Sequence, residues 1–249
     1  MRYALQWIRS ALFVVQMYVM LAVIALAFAP WALVEKRGAR AAARFYCYWV
    51  RWTAAWMVGL RSEIRGTVPT GAVLVASKHQ SFFDIILIMS ALERPRFIMK
   101  KELKWMPFFG WYALRVGCVP VDRAKRGAAI AKMVEDVTKT ADDRGQLIIY
   151  PQGTRVAAGV KQDYKVGAGI LYAQLGQPCV PAATNVGVFW PRHGVYRKPG
   201  LAVMEFLPPI PPGLPLKVFM KDIAPAIEDA SDRLMREAGF ALPDTDTNP

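Results

Sequence analysis

The chain has 249 residues, enough for one domain with a sizeable core plus an appendage. Hydrophobic residues make up 54% of it, with eight Trp, and the formal net charge is +13 with a pI near 9.9. No basic repeat or nucleic-acid motif accompanies that charge, so the expected counterpart is an anionic bilayer or lipid and not nucleic acid.

From Ala11 to Val34 the residues are apolar apart from Gln16, a stretch long enough to cross or enter a bilayer, although Pro30 weakens one straight helix. Arg2 and Arg9 precede it, and Ala25 to Ala29 offer small-residue cleavage sites, which is the competing reading as a secretory signal. Lys36, Arg37, Arg40 and Arg44 follow at once and favour keeping the remainder of the chain in the cytoplasm. With positive charge on both flanks, a re-entrant hairpin in one leaflet is the other possibility. A second helix is predicted between Ala41 and Leu60, where Phe45, Tyr46, Tyr48, Trp49, Trp52 and Trp56 alternate with arginines. That mixture suits a headgroup interface, or else a helix packed on the following domain. Residues 1–60 are therefore read as membrane-anchoring helices and 61–249 as an α/β domain.

From Arg61 onward, short apolar runs alternate with helical spacing, which predicts a sheet flanked by helices. The strands are expected at Ala72 to Ala76, Phe97 to Met99, Cys118 to Val121, Leu147 to Tyr150, Val180 to Ala183 and Leu201 to Phe206. Ile130, Met133, Val134, Val137 and Ala141 recur at helical spacing with Gly145 placed as a stop. Ala168 to Leu175 form a shorter helix, and Phe219, Ile223, Ile227 and Leu234 mark a last amphipathic one. The tail from Pro243 is expected to be disordered. Cys47, Cys118 and Cys179 lack metal-ligand spacing and read as buried, reduced thiols; no metal and no cofactor is implied.

The segment Ser77-Lys78-His79-Gln80-Ser81-Phe82-Phe83-Asp84 follows the first of these strands. Within one helix, His79 and Asp84 would stand about 140° apart and could not touch. His79 is therefore placed outside the helix, with Ser81 as N-cap and Asp84 as the third helical residue of a capping-box-like S-x-x-D. Asp84 can then turn back to the imidazole, fix its tautomer and leave the other nitrogen free to take a proton, as a general base requires. The plainer alternative is a cap beside a loop histidine.

Tyr150-Pro151-Gln152-Gly153-Thr154-Arg155 follows a later strand, and its glycine, hydroxyl and guanidinium suit an anion. Arg123 ends the run from Gly117, and Lys101 follows a third strand, so several strand ends present cations that together could bind one phosphate-bearing substrate. Taken singly, each is an ordinary surface charge.

In order, His79-x4-Asp84, Gly117 to Arg123, Pro151 to Arg155 and Pro178-Cys179-Val180-Pro181 resemble the four sequence blocks of the glycerolipid acyltransferase family over roughly residues 61–210. The apolar N-terminus is similar to the membrane-embedded helical hairpin of its bacterial members. The resemblance implies a mixed central sheet flanked by helices. It implies transfer of a fatty acyl group from acyl-CoA or acyl carrier protein to the 2-hydroxyl of lysophosphatidic acid at the cytoplasmic (inner) membrane. His79 would be the base, Asp84 its orienting partner, and Arg123 and Arg155 the phosphate-binding residues, with Lys101 a further cation. The turn at Gly153 and Thr154 would supply oxyanion donors. Chemistry agrees, because a thioester is already activated while an alcohol needs its proton withdrawn.

One departure stands out: the family's third block has a Glu where this chain has Gln152, which predicts a more cationic pocket and leaves other acceptors open, such as lyso-ornithine lipid. A serine hydrolase would need a G-x-S-x-G elbow, and the sequence contains none. A non-catalytic lipid-binding protein on the same sheet is the remaining alternative. The second histidine, His193, lies in a polar loop and is assigned no role.

Overall fold

A computed structural model describes residues 2–122, 126–139 and 145–243. The chain opens with a helical hairpin, α1 (Arg2–Val34) and α2 (Lys36–Val58), joined through Glu35 alone. So tight a turn requires Gly38, where a Cβ would lie 2.6 Å from the Ala32 nitrogen and 2.7 Å from the Trp31 carbonyl carbon. Pro30 sits one turn before the end of α1 and does not interrupt it. Gln16, the polar residue of the apolar run, clamps the pair: it donates to Thr53 Oγ1 at 3.1 Å and accepts from Trp49 Nε1 at 2.9 Å. Gln6 and Arg9 of α1 cap the final carbonyls of α2, at Val58 (2.9 Å) and Met57 (2.5 Å).

Thereafter come β1 (Leu60–Gly66), β2 (Leu74–Ser77), α3 (Phe83–Ala91), β3 (Pro95–Lys100), a 3₁₀ turn (Lys101–Trp105), α4 (Phe109–Arg115), β4 (Val119–Val121) and α5 (Arg126–Lys139). The remainder is β5 (Gln146–Ile149), α6 (Gly167–Leu175), β6 (Cys179–Thr184), α7 (Val186–Phe189), β7 (Gly200–Phe206) and α8 (Leu216–Glu237). The described strands form one mixed sheet in the order β1-β7-β6-β2-β5-β3-β4. Its neighbours are parallel except β6 and β7. The six predicted strands are all present, within two residues at each end. The strand that the sequence reading missed, β1, is Leu-Arg-Ser-Glu-Ile-Arg-Gly; it pairs with β7 alone, and an edge strand tolerates that polarity.

Alternation along the central strands divides the interior into two layers. Val75, Phe97, Met99, Ile148 and Ala182 face α2 and α3, and Val50, Ala54 and Val58 of α2 belong to the same apolar cluster. Leu74, Ala76, Ile98, Leu147 and Ile149 face α5, α6 and α8, where Tyr172 stacks on Phe219 with centroids 4.0 Å apart. The helical hairpin thus shares a core with the sheet, and residue 60 marks the start of a strand without a break in packing. Residues 140–144, just before the expected stop at Gly145, and the tail beyond 243 lie outside the described residues, as does Arg123.

Candidate active site

Strand β2 lies between β6 and β5, and its C-terminal end delivers Lys78 and His79 to the edge of the sheet. The backbone there is tied on both sides. Lys78 N–H donates to Ala182 O at 3.0 Å, and His79 O accepts from Val156 N–H at 2.7 Å. Beyond it α3 begins at Phe83, so Phe82 and not Ser81 takes the N-cap position and Asp84 is the second helical residue and not the third, although the bonds expected of the S-x-x-D segment are made. Ser81 Oγ accepts from Phe83 N–H at 3.1 Å, and Asp84 Oδ2 reaches back to the N–H groups of Ser81 and Gln80, both at 2.8 Å.

The same carboxylate faces the imidazole. His79 Nδ1 lies 3.0 Å from Asp84 Oδ1 and 3.1 Å from Oδ2, and Tyr150 Oη donates to Oδ1 at 3.2 Å. Asp84 is fully buried, so these donors replace the water it has lost. Capping and orienting are therefore one arrangement, and the two alternatives drawn from the sequence do not compete. With Nδ1–H given to the carboxylate, Nε2 keeps its lone pair and makes no hydrogen bond among the described residues. The ring stacks on Tyr150 at 3.9 Å with a 16° interplanar angle, and the side chain remains 13% exposed. Burial, then the neighbouring Asp84, raise the Tyr150 phenol well above its ordinary range and keep it a donor. From the sequence Tyr150 is only the end of a strand; its contact with Asp84 runs from the end of β5 to α3.

The other expected residues are distributed along the same edge. Arg155 follows β5 and donates to the Arg192 carbonyl at 3.2 Å, which joins the turn to the loop before β7. Lys101 follows β3 and pairs with Asp122 at 2.6 Å, at the end of β4, so its ammonium already has a carboxylate partner within the protein. Thr154 is half-buried and makes no hydrogen bond among the described residues. Gly153 corrects one expectation: its N–H donates to Tyr150 O at 2.9 Å inside the turn and is not available to an oxyanion. The glycine is still required, since φ is +71° and a Cβ would come 2.8 Å from Lys165 Nζ. Lys165 is a cation over this turn that the sequence reading passed over.

The Gln152 amide is fully buried, and the ammonium buried beside it, Lys78, is paired with Glu228 of α8, so the group around the Gln is neutral where a Glu would add a negative charge. Cys118 and Cys179 are buried, with burial pushing their thiols up to about 11 and about 12, which makes both poor nucleophiles.

The site is thus an imidazole oriented by a buried carboxylate, at the C-terminal ends of the parallel strands of an α/β protein, with Nε2 left as a proton acceptor. The chain belongs to the Acyltransferase family, whose model matches residues 60–185 and so spans the site and the strands that carry it. It is 28% identical over 157 residues to the 1-acyl-sn-glycerol-3-phosphate acyltransferase of Pseudomonas aeruginosa, covering 62% of this chain and 61% of that one. It is 29% identical over 163 residues to the mouse 1-acyl-sn-glycerol-3-phosphate acyltransferase alpha, covering 63% and 57%. The chain thus spans about three fifths of the length of the curated relatives it matches. The fold is shared with the crystal structure of the 1-acyl-sn-glycerophosphate (LPA) acyltransferase PlsC from Thermotoga maritima, with a TM-score of 0.72 at 18% identity over 91% of this chain and 97% of that one.

Proposed function

We propose that the protein transfers a fatty acyl group from acyl-CoA or acyl carrier protein to the 2-hydroxyl of 1-acyl-sn-glycerol-3-phosphate, giving phosphatidic acid for phospholipid synthesis. The observation that carries this reading is the His79–Asp84 pair, with Nε2 unbonded among the described residues on a side chain that remains 13% exposed. In the proposed step, Nε2 removes the proton from the 2-hydroxyl while its oxygen bonds to the thioester carbonyl carbon. The tetrahedral intermediate collapses, the C–S bond breaks, and the imidazolium returns its proton to the thiolate. Products are the new ester and a free thiol. Asp84 holds the ring and balances the imidazolium formed in passing. No metal or other cofactor has a part in this scheme.

Arg155 and Lys101 bind the phosphate in this reading, with Arg123 as the further cation expected from the sequence. Thr154, through its hydroxyl or its N–H, is left as the oxyanion donor of the turn. The membrane reading draws on α1, the one helix among the described residues long and apolar enough to cross a bilayer. At 33 residues it extends about 50 Å, against about 30 Å for a hydrocarbon core, so it reaches a bilayer whether it spans or lies inclined in one leaflet. The catalytic domain would face the cytoplasm at the inner membrane.

The test is the purified protein given labelled oleoyl thioester and a panel of lysolipids, including lysophosphatidic acid and lyso-ornithine lipid. Label should move to lysophosphatidic acid, and His79→Ala should abolish the transfer while the fold persists. Label on another lysolipid alone would replace the acceptor, and transfer undiminished in His79→Ala would remove the mechanism.

A further inference from the structure

Beneath His79 lies a cluster assembled from four separate parts of the chain. The Lys78 ammonium, with the side chain 1% exposed, is ion-paired with Glu228 Oε2 from α8. Tyr164 Oη donates to Glu228 Oε1 at 2.9 Å, and Gln152 Nε2 approaches the same oxygen at 3.4 Å. The other end of the Gln152 side chain, Oε1, accepts the backbone N–H of His79 at 3.3 Å. Burial, then Glu228, raise the Tyr164 phenol and keep it a donor.

The charges in this cluster balance: one ammonium, one carboxylate and neutral donors around them. A buried ammonium that loses its carboxylate is heavily penalised, and a second carboxylate 3.4 Å from the first could exist only by taking up a proton or standing unpaired. The residue at 152 must therefore be neutral while Glu228 is charged. The location matters as much as the charge, because Lys78 and His79 are consecutive. The ion pair fixes one peptide and the Gln152 amide the next, and both are anchored to a helix on the far side of the sheet from α3, which carries Asp84.

We propose that Lys78, Glu228, Gln152 and Tyr164 form a positioning device that sets where His79 stands relative to Asp84, and that the device works only while its net charge is zero. None of the four touches substrate in this account; they act through the backbone of His79. The proposal rests on the reading of His79 as the base.

The test is a charge exchange in the full-length protein: Gln152→Glu, Glu228→Gln and the two combined. Each single change should lower kcat by roughly tenfold or more, with KM for thioester and lysolipid within about twofold, and the pair should return kcat to within about threefold of wild type. The Nδ1 proton resonance of His79, read in a His193→Gln background where a single imidazole remains, should move in each single variant and return in the pair. Single changes that alter neither quantity, or a pair no better than its parts, overturn the proposal. Should Glu228→Gln not fold, Tyr164→Phe removes one bond to the same carboxylate. It should lower kcat severalfold and shift the resonance, and no change in either would overturn the proposal equally. If the wild type transfers no acyl group to any lysolipid, the functional reading fails, while the resonance series still decides the positioning claim.

Discussion

Asp84 carries several duties on two oxygens. It accepts from Gln80 N–H, Ser81 N–H, His79 Nδ1 and Tyr150 Oη, and it is fully buried. The cap and the proposed catalytic bond separate on magnitude, because a lost N-cap costs about 1 kcal/mol, whereas disorienting the imidazole of a general base is worth up to about 5 kcal/mol of barrier. Asp84→Asn keeps one acceptor oxygen for the cap but presents an amide that no longer enforces the Nδ1–H tautomer. We expect kcat to fall by ~10²–10⁴ with KM nearly unchanged and a melting temperature only a few degrees lower, measured on the same preparation. Turnover within twofold of wild type would mean that the His79–Asp84 bond is idle in catalysis. This dyad was readable in the sequence because its members lie within one turn and one cap, where local geometry decides orientation. The roles of Tyr150 and Lys78 are not legible there, since their partners arrive from α3 and from α8.

At the scale of elements, the helical hairpin presents two contrasting faces. Val50, Ala54 and Val58 of α2 enter the core, while Trp52 and Trp56 are 58% and 65% exposed and stack at 6.0 Å with a 16° interplanar angle. Exposed paired indoles beside arginines are placed for a headgroup layer. Removing residues 1–60 would strip the sheet of a helical layer and expose apolar surface, so loss of membrane binding could not be told from aggregation. Point substitution avoids this. Trp52→Glu with Trp56→Glu should reduce cosedimentation with anionic vesicles by about tenfold or more and leave the melting temperature within a few degrees, because neither indole is buried. Unchanged cosedimentation would assign the lipid contact to other surfaces. The aromatic-arginine composition was legible in sequence. That the opposite face of the same helix closes the core was not, because amphipathicity shows that two faces differ and leaves open what each one meets.

Across the whole molecule, strand order decides which distant residues share an edge. With β2 flanked by β5, and β3 and β4 beyond, His79, the turn 150–155, Lys101 and Asp122 stand in sequence along the C-terminal ends of parallel strands spaced about 4.8 Å apart. Arg155 is one strand away from His79, half-buried as a residue, with its guanidinium bonded to the Arg192 carbonyl at the surface. If it holds the phosphate, Arg155→Ala should raise KM for lysophosphatidic acid about tenfold or more, and KM for the thioester by less than about twofold, in steady-state assays. Equal effects on the two would count against phosphate binding there.

The sequence by itself determined what depends on neighbours in the chain: the alternation of strands and helices, the apolar start, the cap that joins Asp84 to His79, and the glycine turn with its arginine. The tertiary structure alone decided what depends on chain segments far apart. It set Glu228 against Lys78, turned Tyr150 onto Asp84, spent the Gly153 N–H within its own turn, and brought the Gln152 amide to Glu228. The physical reason is range: periodicity and capping act over a few residues, while the energy of a buried charge or an unpaired donor is set by whichever groups packing brings within about 3 Å of it.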